Sequence, residues 1–153
     1  MKRFLHPLTL LLLIFLTASC SRDKDPVVPA YTLSSHQGLI IQLEWTTGGS
    51  ASQALYETDL DLYLDLGSTP IAASESLRQF EEVHLRDVYR DGTYDIYIGA
   101  IDVSRTTDYE LNIFAPNGST IHRFTGYFNR GEQGEVHYLR IRKQGPYYTL
   151  IDL

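Results

Sequence analysis

Residues 58–66 read TDLDLYLDL, and their strict alternation of apolar and polar side chains restricts the fold more than any other feature of the chain. Successive side chains of an extended backbone point to opposite faces, so Leu60, Leu62, Leu64 and Leu66 share one side and Asp59, Asp61, Tyr63 and Asp65 the other. A helix would scatter these leucines around its circumference, so the segment is a strand with one buried and one wetted face. The same period of two recurs in GLIIQLEW (38–45), FEEVHLRDV (80–88), GTYDIYIGA (92–100), TDYELNIFA (107–115), GEVHYLRIRK (134–143) and YYTLIDL (147–153). In FEEVHLRDV only Val83 and Leu85 are offered to a core, and in GEVHYLRIRK His137, Leu139 and Ile141 oppose Tyr138, Arg140 and Arg142. RDGTY and PNGST each place Gly after Asp or Asn, a pairing suited to the positive φ of tight hairpins. ASQALYE (51–57) and ESLRQFEEV (75–83) are the helix candidates of the mature chain, and both also read as turns. Short half-buried strands joined by turns predict an all-β fold: an antiparallel β-sandwich, jelly-roll-like, of about eight or nine strands.

The first residues follow a different rule. MKRFLHPLTLLLLIFLTASC has a basic start, an apolar stretch from Leu8 to Leu16, and small residues Ala18 and Ser19 before Cys20. That layout is a secretory signal, and its apolar stretch is too short to serve as a membrane-spanning helix. Cys20 is the one cysteine of the chain, and with its small predecessors it resembles the lipobox of bacterial lipoproteins, in which the cysteine is lipidated and becomes the new N-terminus. The leucine usual three places before that cysteine is Thr17 here, with Leu16 one place further out. The reading divides the chain into a signal peptide (1–19), a lipidated cysteine and tether (20–30), and a β-sandwich domain (31–153). SRDKDPVVPA, polar and then proline-bearing, has the composition of a tether. Ser21 in place of Asp resembles lipoproteins sorted to the outer membrane, which implies attachment there by the N-terminal lipid, facing the periplasm or the cell surface.

Loss of residues 1–19 removes Lys2 and Arg3 and no acid, so the formal charge falls from −6 to −8. An acidic chain without a basic patch is a poor ligand for nucleic acid. With Cys20 used for lipid, no thiol remains for disulfides, and the domain is held by packing and hydrogen bonds.

The order LEW, TDLDLYLDL, AASES, EEVHL, DGTYDIYIGAID and TDYELNIFAPNG over residues 39–118 resembles the pre-peptidase C-terminal domain of secreted bacterial proteins. The resemblance implies a jelly-roll-like sandwich that serves as an accessory module. Relatives of that fold bind calcium near strand ends, which makes a calcium ion the one cofactor to consider.

Two sets of side chains are candidate sites. Asp59 and Asp61 are neighbours on one strand face and can lean toward one cation, with Asp102 or Glu57 as further ligands. Calcium needs six to eight oxygens, more than two carboxylates supply. Tyr63, Tyr97, Phe114 and Tyr138 all fall on the polar side of their strands by alternation. On neighbouring strands they would form an aromatic platform for a glycan or an envelope protein, with Asp59, Asp61 and Asp95 as polar partners. The plain alternatives are a solvated acidic face and cross-strand aromatic pairs that only stabilise a sheet. Catalysis has little footing. His36, His84, His122 and His137 lie in four separate segments, and the adjacent Glu81 and Glu82 point to opposite faces. The expected function is a non-catalytic, lipid-anchored envelope module that binds through a sheet face. A structural component of an outer-membrane assembly is the alternative.

Overall fold

TDLDLYLDL is strand β3 (Thr58–Leu66), and its leucines 60, 62 and 64 are fully buried. Each such side chain contributes roughly 1.5–3 kcal/mol relative to exposure. Around it, the computed structural model describes residues 31–152; the signal segment, Cys20 and the tether to residue 30 lie outside the described residues. The other elements, in chain order, are β1 (Thr32–Ser34), β2 (Leu39–Thr46), α1 (Ala51–Glu57), then after β3 come β4 (Thr69–Ser74), β5 (Phe80–Leu85), β6 (Gly92–Val103), β7 (Thr107–Phe114), β8 (Ile121–Phe128), β9 (Gly134–Gln144) and β10 (Tyr147–Asp152).

The strands form two antiparallel sheets, one of six in the order β1-β10-β9-β6-β3-β4 and one of four in the order β5-β2-β7-β8. Hairpins β3–β4, β7–β8 and β9–β10 stay within a sheet, and every other connection crosses between sheets, as in a jelly roll. Leu39, Ile41, Leu43 and Trp45 of β2 and Leu111 and Ile113 of β7 meet Leu60, Leu62, Leu64, Ile96, Ile98, Leu139 and Ile141 of the six-stranded sheet. The fold class expected from alternation is therefore correct, with ten strands in place of eight or nine.

The local expectations are borne out in part and corrected in part. ASQALYE is a helix, capped by Ser50, whose hydroxyl accepts from the Gln53 N–H at 3.3 Å. ESLRQFEEV is not one: from Phe80 onward it is β5, and besides Val83 and Leu85 it buries Glu81 completely. Both Glu81 oxygens are occupied, one by the Ser74 hydroxyl and the other by the Ser76 N–H at 3.0 Å and hydroxyl at 2.7 Å, so neither is left without a hydrogen bond. Gly92 and Gly118, expected to supply positive φ, do not; the left-handed glycines of the hairpins are Gly67 between β3 and β4 and Gly145 between β9 and β10.

Two bulges decide which side chains share a face. Between β6 and β9, Ile96 pairs with Leu139 and Tyr97 with His137, leaving Tyr138 as the extra residue. Between β3 and β6, Asp59 pairs with Asp102 and Leu60 with Ala100, leaving Ile101 unpaired and exposed. An extra residue in one strand reverses the alternation beyond it.

Candidate functional site

The outer face of the six-stranded sheet carries the sequence-predicted residues in rows set by register. One row runs Ala73–Tyr63–Tyr97–His137 across β4, β3, β6 and β9. The Tyr97 and His137 rings are stacked, with centroids 4.6 Å apart and planes at 28°. Tyr63 lies over Gly99: a Cβ at that glycine would come within 2.9 Å of the Tyr63 ring. The Tyr63 hydroxyl donates to Asp61 Oδ2 at 2.8 Å, and burial together with that carboxylate pushes its pKa up.

The flanking row is Asp65–Asp95–Arg140–Ile151. Asp95 is nearly buried, and its Oδ1 accepts from Arg140 Nε at 2.8 Å and lies 2.8 Å from His137 Nε2. The His137 contact has ion-pair distance without hydrogen-bond alignment, so the firm bond of Asp95 is the one to Arg140. On the other flank stand Asp61 and Glu135, either side of Gly99 in the register. The result is a strip of three rings bordered by carboxylates and a guanidinium.

Of the four aromatics predicted to form a platform, the sheet brings two together. Phe114 sits on the four-stranded sheet, where its register partners are Ile40 and Ile121, an apolar cross-strand row. Tyr138 is turned inward by the β9 bulge: its ring meets Tyr109 edge-on at 5.6 Å, and its hydroxyl donates to the Thr125 carbonyl at 3.0 Å. The same bulge moves His137 from the expected core face to the outer face, where it takes the place in the row that alternation gave Tyr138. His137 and Arg140 are the residues that alternation alone missed, because one extra residue in β9 leaves no mark on the hydrophobic pattern.

Asp59 and Asp61 lie side by side as expected, and Asp59 faces Asp102 across the bulge. Glu57 is engaged elsewhere, with Gln53 Nε2 at 2.9 Å and Arg105 Nη1 at 3.3 Å. Among the described residues no group of three or more His, Cys, Asp or Glu side chains is arranged to hold a metal ion. Burial, then Glu81 and Asp102, raise the Asp59 carboxyl; burial likewise raises Asp61, against the opposite pull of the Tyr63 hydroxyl. A carboxyl whose folded pKa exceeds its unfolded value adds stability below the unfolded pKa of 3.8 and loses it as pH rises through the folded value. Asp59→Asn is therefore expected to raise the melting temperature at pH 7, and by only about 2 °C because a part-exposed charge is screened. The gain should vanish near pH 3.5, and calcium or chelator should leave both proteins unmoved. A lower melting temperature for the variant, with calcium raising that of the wild type, would instead mark a cation site.

No protein-family model matches the chain, and no curated protein or solved structure is significantly similar to it. The class of the protein rests on architecture: an all-β antiparallel sandwich whose larger sheet bears a ring-and-carboxylate strip on its outer face.

Proposed function

We propose that this protein is a non-catalytic binding module of the cell envelope, anchored by lipid at Cys20 in the outer membrane and facing the periplasm or the cell surface. Its ligand is a saccharide held on the outer face of the six-stranded sheet. The observation that carries the reading is the row Tyr63–Tyr97–His137 on three adjacent strands. Flat rings accept the C–H face of a sugar ring, and a few fixed polar groups beside them orient its hydroxyls. Asp61, Asp95 and Arg140 are such groups, held by Tyr63 and by each other. The order of motifs that resembles the pre-peptidase C-terminal domain supports an accessory role. Full-length protein in detergent is expected to be retained on a glycan array by a defined class of saccharide. Absence of retention on every glycan would overturn the saccharide reading.

The anchor has its own test. Cys20→Ser is expected to block lipidation and shift the protein from the membrane to the soluble fraction, and a variant that stays in the membrane fraction would refute anchoring through Cys20.

The second reading, a structural component of an outer-membrane assembly that recognises protein and takes no small ligand other than a structural calcium, is favoured by one observation. Strand β8 ends the four-stranded sheet with a long edge and large exposed side chains.

A further inference from the structure

The sandwich has four sheet edges, and three are protected. β1 is only three residues long. β4 carries Pro70 and a register shift against β3. β5 is fastened to β4 across the corner: the Ser74 hydroxyl bonds Glu81 and accepts from the Glu82 N–H at 3.2 Å. These are the devices by which natural sheets avoid adding strands: short edges, proline, bulges and cover. Among the described residues β8 has neither a short length, a proline nor a bulge, and its cover is limited to the Tyr31 ring against His122 and the Tyr138 hydroxyl on Thr125. It is eight residues long, pairs with β7 without a register shift from Thr107↔Phe128 to Phe114↔Ile121, and contains no proline, lysine or acid. Along it Ile121 is 54% and Tyr127 63% exposed. The Tyr138 hydroxyl takes up the Thr125 carbonyl, which keeps a second lone pair for another donor.

We infer that β8 pairs antiparallel with β8 of a second copy of this chain, joining the two four-stranded sheets into one of eight. The side-chain pattern of β8 is self-complementary in one register. With Phe124 on the two-fold axis, Ile121 stands opposite Tyr127 of the other copy, His122 opposite Gly126, and Arg123 opposite Thr125. A β-branched and aromatic cross-strand pair then covers both exposed apolar residues twice over. His122 meets a residue with no side chain, and the two Phe124 rings meet beside the cleft of about 220 Å³ that Tyr31, Arg123, Phe124 and Leu150 line. Arg123 is already paired with Glu110 at 2.9 Å in its own copy. Sliding the register so that Ile121 meets Thr125 puts Arg123 against Arg123, and a slip of one residue turns inner faces outward. Only the register centred on Phe124 pairs both exposed apolar residues, Ile121 and Tyr127, and opposes no like charges. This pairing lies on the sheet away from the saccharide face, so either stands without the other.

The test uses full-length, lipidated protein in native membranes, where Cys20 is occupied by lipid under the reading above. Phe124→Cys places one thiol on the axis opposite its twin, and directly opposed residues of an antiparallel pair lie within disulfide reach. Copper-phenanthroline oxidation is expected to convert most of this variant to a band of twice the chain's mass, while Ala73→Cys on β4 stays monomeric. Should Phe124→Cys fold poorly, the double variant Ile121→Cys/Tyr127→Cys on the solvent side of β8 is expected to crosslink in the same way. Folded Phe124→Cys and Ile121→Cys/Tyr127→Cys proteins that both remain monomeric, or that crosslink only to a chain of different mass, would overturn the inference.

Discussion

Replacing Gly38 by alanine is expected to lower the melting temperature by about 10 °C, corresponding to about 3 kcal/mol for a domain of this size. Gly38 has φ of +85°, a conformation that costs an L-residue roughly 1–2 kcal/mol. An added Cβ would lie 2.2 Å from the Leu85 carbonyl oxygen, 2.9 Å from the Asp87 nitrogen and 3.0 Å from the Arg86 Cα. All three are backbone atoms, so no rotamer change relieves the overlap and the end of β5 must move away. That end pairs Leu85 with Leu39 at the start of β2. The loop it leads into carries Asp91, whose Oδ1 accepts from Lys143 Nζ at 3.1 Å and the Gly145 N–H at 2.8 Å. The displacement therefore reaches both sheets. Gly131→Ala is the matched control, because φ there is +83° and nothing lies within 4 Å of the added carbon. It carries the conformational cost alone, about 1–2 kcal/mol. Thermal unfolding followed by circular dichroism measures both variants, and equal losses would mean that the Gly38 contact is soft.

The contrast between those glycines bears on what a sequence reveals. Alternation exposed β2, β3, β6, β7, β9 and β10, because each has one face of large aliphatic residues and one polar face. It failed where a strand lacks that contrast. β8 alternates Ile121, Arg123, Thr125 and Tyr127 with His122, Phe124, Gly126 and Phe128, and both sets mix polar with apolar because the strand is an edge with little cover. Gly126 looks like a break, yet the Tyr109 ring fills the place of its missing side chain. β4 opens with Thr69 and Pro70, a turn signature that an edge strand tolerates. The face assignment at the site failed for one reason, the extra residue at Tyr138, which is a property of pairing between β6 and β9 and so belongs to no local stretch of sequence. Buried Glu81 was equally hidden: Ser74 at the end of β4 and Ser76 in the connection to β5 make its burial tolerable, and only the fold brings them to it.

Tyr97→Ala is expected to weaken saccharide binding at least about thirtyfold, the cost of about 2 kcal/mol for losing the central ring of an aromatic contact surface. Tyr97 holds the middle of the row, with Tyr63 as its register partner on one side and the stacked His137 on the other. Truncation therefore divides the strip into two isolated rings. His137→Ala removes an end ring and is expected to cost about tenfold. Tyr63→Ala is a poorer test, because it also frees Asp61 from its hydrogen bond and uncovers Gly99, so lost binding would be mixed with lost stability. Tyr97→Phe keeps the ring and should bind within about threefold of the wild type. Phe114→Ala, on the opposite sheet, should leave affinity unchanged, which separates a platform on β3, β6 and β9 from a general response to aromatic deletion. Titration calorimetry with a saccharide retained on the array gives the affinities, and circular dichroism verifies the fold of each variant. Wild-type affinity in a folded Tyr97→Ala protein would remove the row from the binding site, and loss of binding in Phe114→Ala alone would move the site to the four-stranded sheet.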